Sequence, residues 1–345
     1  MTDYFVAWWN VENLFSVEGD PNRIPWLAAK LKEELKGWTQ VVLDKKLAQL
    51  AKVILSMNGG RGPDLLGVCE IESKQVLEQL VALLKPLGRA YKLVHHDTSD
   101  QRGIDVAFLY DSARFSTKVK EVFSHTILRR TGTRDLFQVS FYTKPGKNRL
   151  VVIGNHWPSR SGGQYESEPY RLLAGETLSY WLERIREVLK SQPSDPEPSV
   201  LVMDDFNDEP FNRSLTEYAL GQRTDRLLKS KRAESPYLLN LTWLLLADGS
   251  GTFAFGGEPN LLDQLLVNRG FFTDESPWRV TEKQRRDRSS AGASRQTRCP
   301  APFRPSVGQE QLRSDRLQRP SDGGVPDRGT RLMFLSPRPG LAGRG

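Results

Sequence analysis

The stretch VLVMDDFN (residues 200–207) decides the fold and also places polar groups in it. Its apolar run, Val200 to Met203, has the length of a buried strand and is too short for a helix. Asp204, Asp205 and Asn207 follow directly. Side chains at the end of a buried strand are held by a rigid scaffold and still reach solvent, which suits a functional site.

The same pattern, an apolar run that ends in a polar residue, recurs along the chain. FVAWW ends at Asn10, LLGVC ends at Glu70, and LVVIG ends at the pair Asn155-His156. Asp263 interrupts the run LLDQLLV. Carboxylate and amide oxygens are the ligands that hard cations such as Mg²⁺ prefer, and phosphoryl chemistry needs a positioned nucleophile and charge stabilisation. These residue types therefore favour a metal-assisted phosphoryl site.

Periodic segments connect these strand ends. Apolar residues at helical spacing predict helices over 40–57, 73–85 and 169–190. Beyond the runs already quoted, strands are predicted over 91–94, 104–110 and 136–142. Strands mixed with helices indicate the α/β class. Continuous rather than alternating apolar runs indicate strands that are covered on both faces.

Composition excludes several classes of protein. The chain has 345 residues, of which 38% are hydrophobic, enough for one large core. No apolar stretch approaches the roughly 20 residues that span a bilayer, and the N-terminus lacks the pattern of a secretory signal. Cys69 and Cys299 show neither zinc spacing nor a disulfide framework. We expect a cytoplasmic protein without membrane association and with no evident protein partner.

Charge divides the chain in two. Residues 281–345 contain 13 Arg and 1 Lys against 6 acidic residues, a net charge of +8, so that the total of +7 leaves −1 for residues 1–280. The tail has no periodicity and few large apolar residues, which predicts disorder. We therefore expect one domain over 1–280 and a disordered Arg/Pro/Gly/Ser-rich tail over 281–345. The basic balance belongs to the tail, and the near-neutral body gives no support for binding long nucleic acid.

Six motifs occur in the order found in the endonuclease/exonuclease/phosphatase superfamily, to which DNase I belongs, and the chain resembles its bacterial members over residues 4–270. The motifs are WNVENLF, GVCEIES, RGIDVAFLYD, GNHWPSR, VLVMDDFNDEP and LLDQLLV. The resemblance implies a two-sheet β-sandwich flanked by helices. It also implies Mg²⁺-dependent hydrolysis of a phosphodiester by direct attack of water, with Mn²⁺ as the alternative ion and nucleic acid among the candidate substrates.

The resemblance assigns the metal and the substrate to particular residues. Glu70 is the expected main metal ligand, with Glu72 as the alternative, and Asn10 assists at the metal or the phosphate. Arg102 and Asn155 are expected on the substrate side of the cleft. Asp105 lies where the family often lines that cleft.

The resemblance assigns the chemistry to four further residues. His156 is expected to donate a hydrogen bond to a phosphate oxygen. Asp205 aligns or deprotonates the attacking water, and Asn207 orients it. Asp263 is expected to orient a catalytic histidine.

Two departures from the family pattern stand out. Asp204 takes the place of a glycine, and no histidine follows His156, so the closing S-D-H motif is missing. A shifted reading frame in a GC-rich gene would produce such a tail; finding no S-D-H in the other two frames would count against this hypothesis. Two other functions stay open: a phosphatase of a small or lipid phosphate, and a non-catalytic protein that binds phosphate and metal.

Overall fold

The computed structural model describes residues 2–192, 194–230, 236–249, 251–255, 258–280 and 330–335. The helices are α1 Pro25–Leu31, α2 Gln40–Gly60, α3 Lys74–Ala82, α4 Gln164–Leu189 and α5 Arg226–Lys229. The strands are β1 Asp3–Leu14, β2 Leu65–Ile71, β3 Tyr91–His95, β4 Asp105–Asp111, β5 Phe115–His125, β6 Leu136–Thr143, β7 Arg149–His156, β8 Val200–Asp205, β9 Gly221–Gln222, β10 Leu238–Asn240, β11 Phe253–Phe255, β12 Glu258–Asn260, β13 Asp263–Asn268, β14 Trp278–Val280 and β15 Thr330–Leu335.

Two mixed sheets carry the fold. In the described part of the chain, the first has the strand order β14-β15-β1-β2-β4-β3 and the second the order β5-β6-β7-β8-β13-β10-β9, with β11 and β12 forming a separate pair. β1 runs parallel to β2, and β7 runs parallel to β8. Parallel neighbours end at the same edge of a sheet, so the carboxyl ends of these pairs each present two strand ends together.

Three apolar clusters show that the sheets are stacked and covered. Trp8, Phe108, Phe141 and Met203, which come from both sheets, belong to the cluster between them. A second cluster joins the outer face of the first sheet to α2 and α3, and a third joins the outer face of the second sheet to α4. The layers are helix, sheet, sheet and helix, as the sequence and the resemblance predict.

Most of the predicted elements are confirmed, with shifted ends. The predicted helix at 40–57 corresponds to α2, in which Met57 to Gly59 leave helical geometry. α4 begins at Gln164 rather than at Pro169, because Pro169 is accommodated inside the helix. β5 was not predicted: its two ends are buried, but its middle is exposed, so no continuous apolar run marks it.

One strand lies in the segment that the sequence predicts to be disordered. β15 runs parallel to both β1 and β14 and pairs Leu335 with Ala7. Six residues of the segment are therefore paired in the first sheet, and the expectation of disorder for 281–345 stays a prediction. The rest of 281–345, including Cys299 and Ser321-Asp322-Gly323, lies outside the described residues.

The helices of the described residues do not meet the requirements for crossing a membrane. None of the helices in the described ranges combines sufficient length with sufficient apolar content to cross a bilayer.

Candidate active site

Five of the predicted site residues meet at one edge of the two sheets. Asn10 and Glu70 come from the parallel strands β1 and β2 of the first sheet. His156 and Asp205 are paired at the ends of β7 and β8, and Asp263, at the start of the antiparallel β13, pairs with Asp205. We call these five residues the strand-end cluster. The side chains alternate along each strand, and His156, Asp205 and Asp263 face the first sheet.

Glu70 lies in an unusual backbone conformation. Its φ is +66°, and the pairing of β2 with β4 shifts register around it. A residue other than glycine in the left-handed region is strained by about 1–2 kcal/mol, and such strain concentrates at functional sites. The bulge turns the Glu70 carboxylate toward the edge of the sheet, where the backbone N–H of Asn13 donates to its Oε2 over 2.8 Å.

Asn10 joins the two sheets at this edge. Its Nδ2 donates to Oε1 of Glu70 over 3.3 Å and to Oδ2 of Asp205 over 2.9 Å. Its Oδ1 accepts a hydrogen bond from the backbone N–H of Glu12 over 2.9 Å. Asn10 thus holds two carboxylates at a fixed separation, and in this orientation it offers them its amide nitrogen rather than its oxygen.

Asp205 is buried and bonded from its own turn. The backbone N–H of Asn207 donates to its Oδ1 over 3.0 Å. Burial raises the pKa of Asp205, and the charge of Glu70 adds to that increase, while the hydrogen bonds from Asn10 and Asn207 oppose it. A carboxylate with a raised pKa is a better proton acceptor than an exposed one.

Asn207 follows Asp205 in the left-handed region, with φ +50°. Its Nδ2 donates to the backbone carbonyl of Trp157 over 2.9 Å, which ties the turn after β8 to the turn after β7. The two turns that carry His156 and Asp205 are therefore fixed to each other.

His156 lies between the two carboxylates. Its Nε2 is 3.7 Å from Oε1 of Glu70 and 3.9 Å from Oδ2 of Asp205. Burial lowers the pKa of His156 well below its usual range, and the positive charges of Arg134 and Arg102 lower it further. The imidazole is therefore neutral at pH 7, and one of its nitrogens can donate a hydrogen bond.

Asp263 completes the acidic side of the cluster. Its Oδ1 accepts a hydrogen bond from the indole N–H of Trp8 over 3.1 Å, and its backbone N–H donates to Oγ1 of Thr252. Burial raises the pKa of Asp263 well above its usual range, and the neighbouring Asp205 raises it further. Asp263 is predicted to orient a histidine; in the described part of the chain its carboxylate is hydrogen-bonded to Trp8 and Thr252.

Arg102 lies at the rim beside the cluster. Its Nη2 donates to Oδ1 of Asn13 over 2.7 Å, and its Nη1 is 3.8 Å from Oε1 of Glu70. The side chain is 44% exposed. It can therefore meet a negatively charged molecule that approaches Glu70 from solvent.

Two other predicted residues do not join the cluster. Asn155 pairs with Asp204 on the face of β7 and β8 opposite to His156, and it is fully buried there. Glu72, the alternative metal ligand, forms an ion pair with Arg23 and accepts from the backbone of Ser16. The charge of Glu72 is therefore already balanced by Arg23, at a position apart from Asn10 and Glu70.

Sequence reasoning missed Arg134. This buried side chain donates to the backbone carbonyls of His156 and Trp157 over 3.0 and 2.9 Å and pairs with Asp100 over 2.9 Å. It holds the end of β7 in place. No signal in the sequence distinguishes it from Arg129 and Arg130, because all three precede β6 in the same polar segment.

The donor types in the cluster are those that hard divalent cations prefer. Glu70, Asp205 and Asp263 bring three carboxylates together, and burial raises the pKa of the latter two. Carboxylate oxygens are the preferred ligands of Mg²⁺, and a cation would compensate the charge that this arrangement concentrates.

Two stacked sheets thus bring carboxylate, amide and imidazole groups together at one shared edge. The chain belongs to the endonuclease/exonuclease/phosphatase family, whose model matches residues 5–290. The resemblance drawn from the six sequence motifs is thereby confirmed.

Solved structures of the same fold are similar to this chain at low identity. The structure of ANGEL2, described as a 2′,3′-cyclic phosphatase, has a TM-score of 0.51 at 12% identity, covering 76% of this chain and 82% of that one. The catalytic domain of human nocturnin has a TM-score of 0.46 at 18% identity, covering 75% and 79%. A mannosyl-6-phosphatase from Bacteroides thetaiotaomicron has a TM-score of 0.45 at 12% identity, covering 78% and 85%. No curated protein matches the chain.

Proposed function

We propose that this protein hydrolyses a phosphodiester by direct attack of water, with a divalent cation held at Glu70. The observation that carries the proposal is the link through Asn10, which bonds both Glu70 and Asp205, with His156 within 4 Å of the same two carboxylates. A metal ligand, a base and a hydrogen-bond donor thus face one small volume. This is the set that phosphoryl transfer to water requires.

Glu70 is the residue that would hold the cation, Mg²⁺ in the first place and Mn²⁺ as the alternative. When bound, such an ion polarises a phosphoryl oxygen and offsets the charge that develops on it. Asn10 keeps the Glu70 carboxylate in position through its amide nitrogen. If the side-chain amide of Asn10 rotated by half a turn, its oxygen rather than its nitrogen would face Glu70. That oxygen would then be a second ligand of the cation.

Asp205 is the base in this proposal. Its Oδ1 is held by the backbone of Asn207, and its Oδ2 by Asn10. A water molecule bonded to Oδ2 would be aligned against a phosphorus atom near Glu70. The raised pKa of Asp205, which results first from burial, favours transfer of the water proton to it. Asn207 fixes the direction of that carboxylate.

His156 and Arg102 would bind the phosphate. The lowered pKa of His156, caused by burial and by Arg134 and Arg102, keeps the ring neutral, and Nε2–H donates to a non-bridging oxygen. Arg102 adds positive charge from the rim. Both groups gain strength as charge moves onto the phosphate oxygens in the transition state.

The test uses three substrates and one variant. Plasmid DNA, bis-p-nitrophenyl phosphate and p-nitrophenyl phosphate are incubated with Mg²⁺, or with EDTA to remove it. The proposal predicts cleavage of one or both diesters, loss of that cleavage in EDTA, and no cleavage by Asp205→Ala. Turnover by Asp205→Ala at the rate of the parent protein would contradict it. Cleavage of p-nitrophenyl phosphate alone would favour the phosphatase instead.

One sequence feature favours a second candidate, a non-catalytic protein that binds phosphate and metal. No histidine follows His156, so the imidazole of the family's S-D-H motif has no counterpart. For such a protein, Mg²⁺ raises the melting temperature, but none of the three substrates turns over. Restoring an S-D-H segment would then produce activity.

A further inference from the structure

A second group of potential ligands lies at the other side of the loop that carries Arg102. His95 ends β3, Asp105 begins β4, and Asp97 lies in the loop between them. One ligand atom from each of the three lies within 4.8 Å of the other two. Neither the strand-end cluster nor the proposed hydrolysis uses these residues as ligands.

The imidazole of His95 is buried without a hydrogen bond on one nitrogen. The side chain is 3% exposed, and its Nε2 has no hydrogen-bond partner in the described part of the chain. Nε2 points at Oδ2 of Asp105 from 3.9 Å, too far for a hydrogen bond. A buried polar atom without a partner is costly, and here it faces a carboxylate across a gap.

The Asp105 carboxylate, on the other side of this gap, is held in a defined orientation. Oδ1 of Asp105 accepts two hydrogen bonds from Thr98, from its backbone N–H over 3.0 Å and from its hydroxyl over 2.5 Å. Oδ2 is thereby left facing His95. Burial raises the pKa of Asp105 to about 7, and the neighbouring carboxylates of Asp97 and Asp100 contribute to the increase.

We propose that His95, Asp97 and Asp105 bind a divalent transition-metal cation at a site separate from Glu70. One imidazole nitrogen with two carboxylates suits Zn²⁺, and also Mn²⁺, better than Mg²⁺, which prefers oxygen ligands alone. Two ligands of a tetrahedral zinc ion lie roughly 3.4 Å apart. The gap of 3.9 Å between Nε2 and Oδ2 therefore needs to close only slightly. Oδ1 of Asp97 lies 3.8 Å from Nδ1, the other ring nitrogen, and its side chain is 84% exposed, so Asp97 must rotate to become the third ligand of a cation at Nε2.

The cation would stabilise the loop that positions Arg102. Thr98 bonds Asp105 and, through its hydroxyl, the backbone N–H of Asp100 over 3.3 Å. Asp100 in turn accepts from the backbone N–H of Arg102 over 2.9 Å and from Arg134. A chain of hydrogen bonds within residues 96–104 thus connects the second site to the backbone of Arg102. A cation that fixes Asp105 would therefore restrict the motion of Arg102.

The experiment is a zinc titration of the metal-stripped protein, followed by calorimetry and by hydrogen exchange. The protein is expected to bind about one Zn²⁺ with His95 as a ligand, and bound zinc slows amide exchange over 96–104. His95→Gln and, as a second and exposed variant, Asp97→Asn are expected to weaken binding by about tenfold or more. His96→Gln is the matched control, because His96 is the exposed neighbour outside the ligand group.

Three results overturn the inference: no zinc binding by the parent protein, equal binding by His95→Gln, or loss of the zinc site in Glu70→Gln. Retained zinc binding in Glu70→Gln supports it. The titration does not depend on hydrolysis, so failure of the proposed enzymatic function leaves this result readable, and the reverse also holds.

Discussion

Adjacent residues on the same three strands form two different polar sets. On the inner face of β7, β8 and β13 lie His156, Asp205 and Asp263, which meet Asn10, Glu70 and Trp8 from the other sheet. The residues next to these in sequence are Asn155, Asp204 and Gln264, and their side chains lie on the outer face of the same sheet. Each set forms a row across neighbouring strands, and all six residues are buried except Asp263, which is partly exposed.

The difference between the two sets lies in their partners rather than in their burial. The inner set reaches groups of the opposite sheet. In the outer set, Gln264 bonds Asn240 and two backbone carbonyls. No hydrogen bond to the side chains of Asn155 or Asp204 occurs within the described residues. Polar character at a strand end therefore identifies a site only when the strand face is known.

The largest expected effect separates Asp205 from Asp204. Asp205→Asn removes the proposed base and is expected to lower kcat on bis-p-nitrophenyl phosphate by about 10³-fold. Asp204→Asn, on the outer face, is expected to keep the rate within a few fold of that of the parent protein. Steady-state kinetics of the two variants side by side measures the contrast. An equal loss of kcat in both variants would mean that the inner and outer faces do not differ in their contribution to catalysis.

His156→Gln is expected to lower the rate by about 10²-fold, because a donor to the phosphate oxygen is lost. The melting temperature of the variant provides the control. If His156→Gln is folded and its rate is still reduced, the effect is on the chemical step and not on stability. A rate equal to that of the parent protein would remove His156 from the site.

The dependence of stability on pH tests the outer face. Burial raises the pKa of Asp204 well above its usual range, and Asp205 and Asp263 raise it further. Above the pKa of the unfolded carboxyl the folded protein then holds a proton that the unfolded chain releases, so stability falls as pH rises until the folded carboxyl also ionises. In Asp204→Asn this contribution disappears, about 1 kcal/mol for each pH unit over which only the folded form keeps the proton. Urea unfolding of both proteins at pH 5, 6 and 7 measures it; parallel pH curves would contradict the assignment.

The smallest expected effect is at Asn155. Asn155→Leu replaces two buried polar atoms that lack hydrogen bonds with apolar ones of similar volume. We expect a free energy of unfolding that is unchanged or higher by about 1 kcal/mol, with activity retained. Loss of activity in a stable Asn155→Leu protein would instead support the substrate-binding role that the sequence predicts for it.

The sequence predicts the fold well because the deciding signals are local. Continuous apolar runs mark the central strands, and the polar residues after them mark the edge where Asn10, Glu70, His156 and Asp205 meet. The resemblance over six motifs adds the stacking of two sheets, which no local pattern contains. β5, with an exposed middle, lacks a continuous apolar run, and β15 has the short run LMFL, which the Arg-rich composition of the surrounding segment outweighs.

The details of the site depend on contacts between distant residues. Asn155 and His156 are neighbours in sequence, and only strand alternation within the folded sheet places them on opposite faces. Glu70 and Glu72 are equivalent in the sequence until Arg23 is seen to neutralise Glu72. Arg134 reaches the backbone of His156 from the segment before β6, and no spacing rule predicts that contact.

The central claim is that Glu70 holds the cation on which phosphoester hydrolysis depends. The most direct test is a Mg²⁺ titration of bis-p-nitrophenyl phosphate hydrolysis by the parent protein, by Glu70→Gln, and by Asp204→Asn as the matched carboxylate control. We predict saturating activation for the parent protein and for Asp204→Asn, with little or no activation for Glu70→Gln at any Mg²⁺ concentration. Activation of Glu70→Gln with the same midpoint and the same maximal rate as the parent protein would contradict the account.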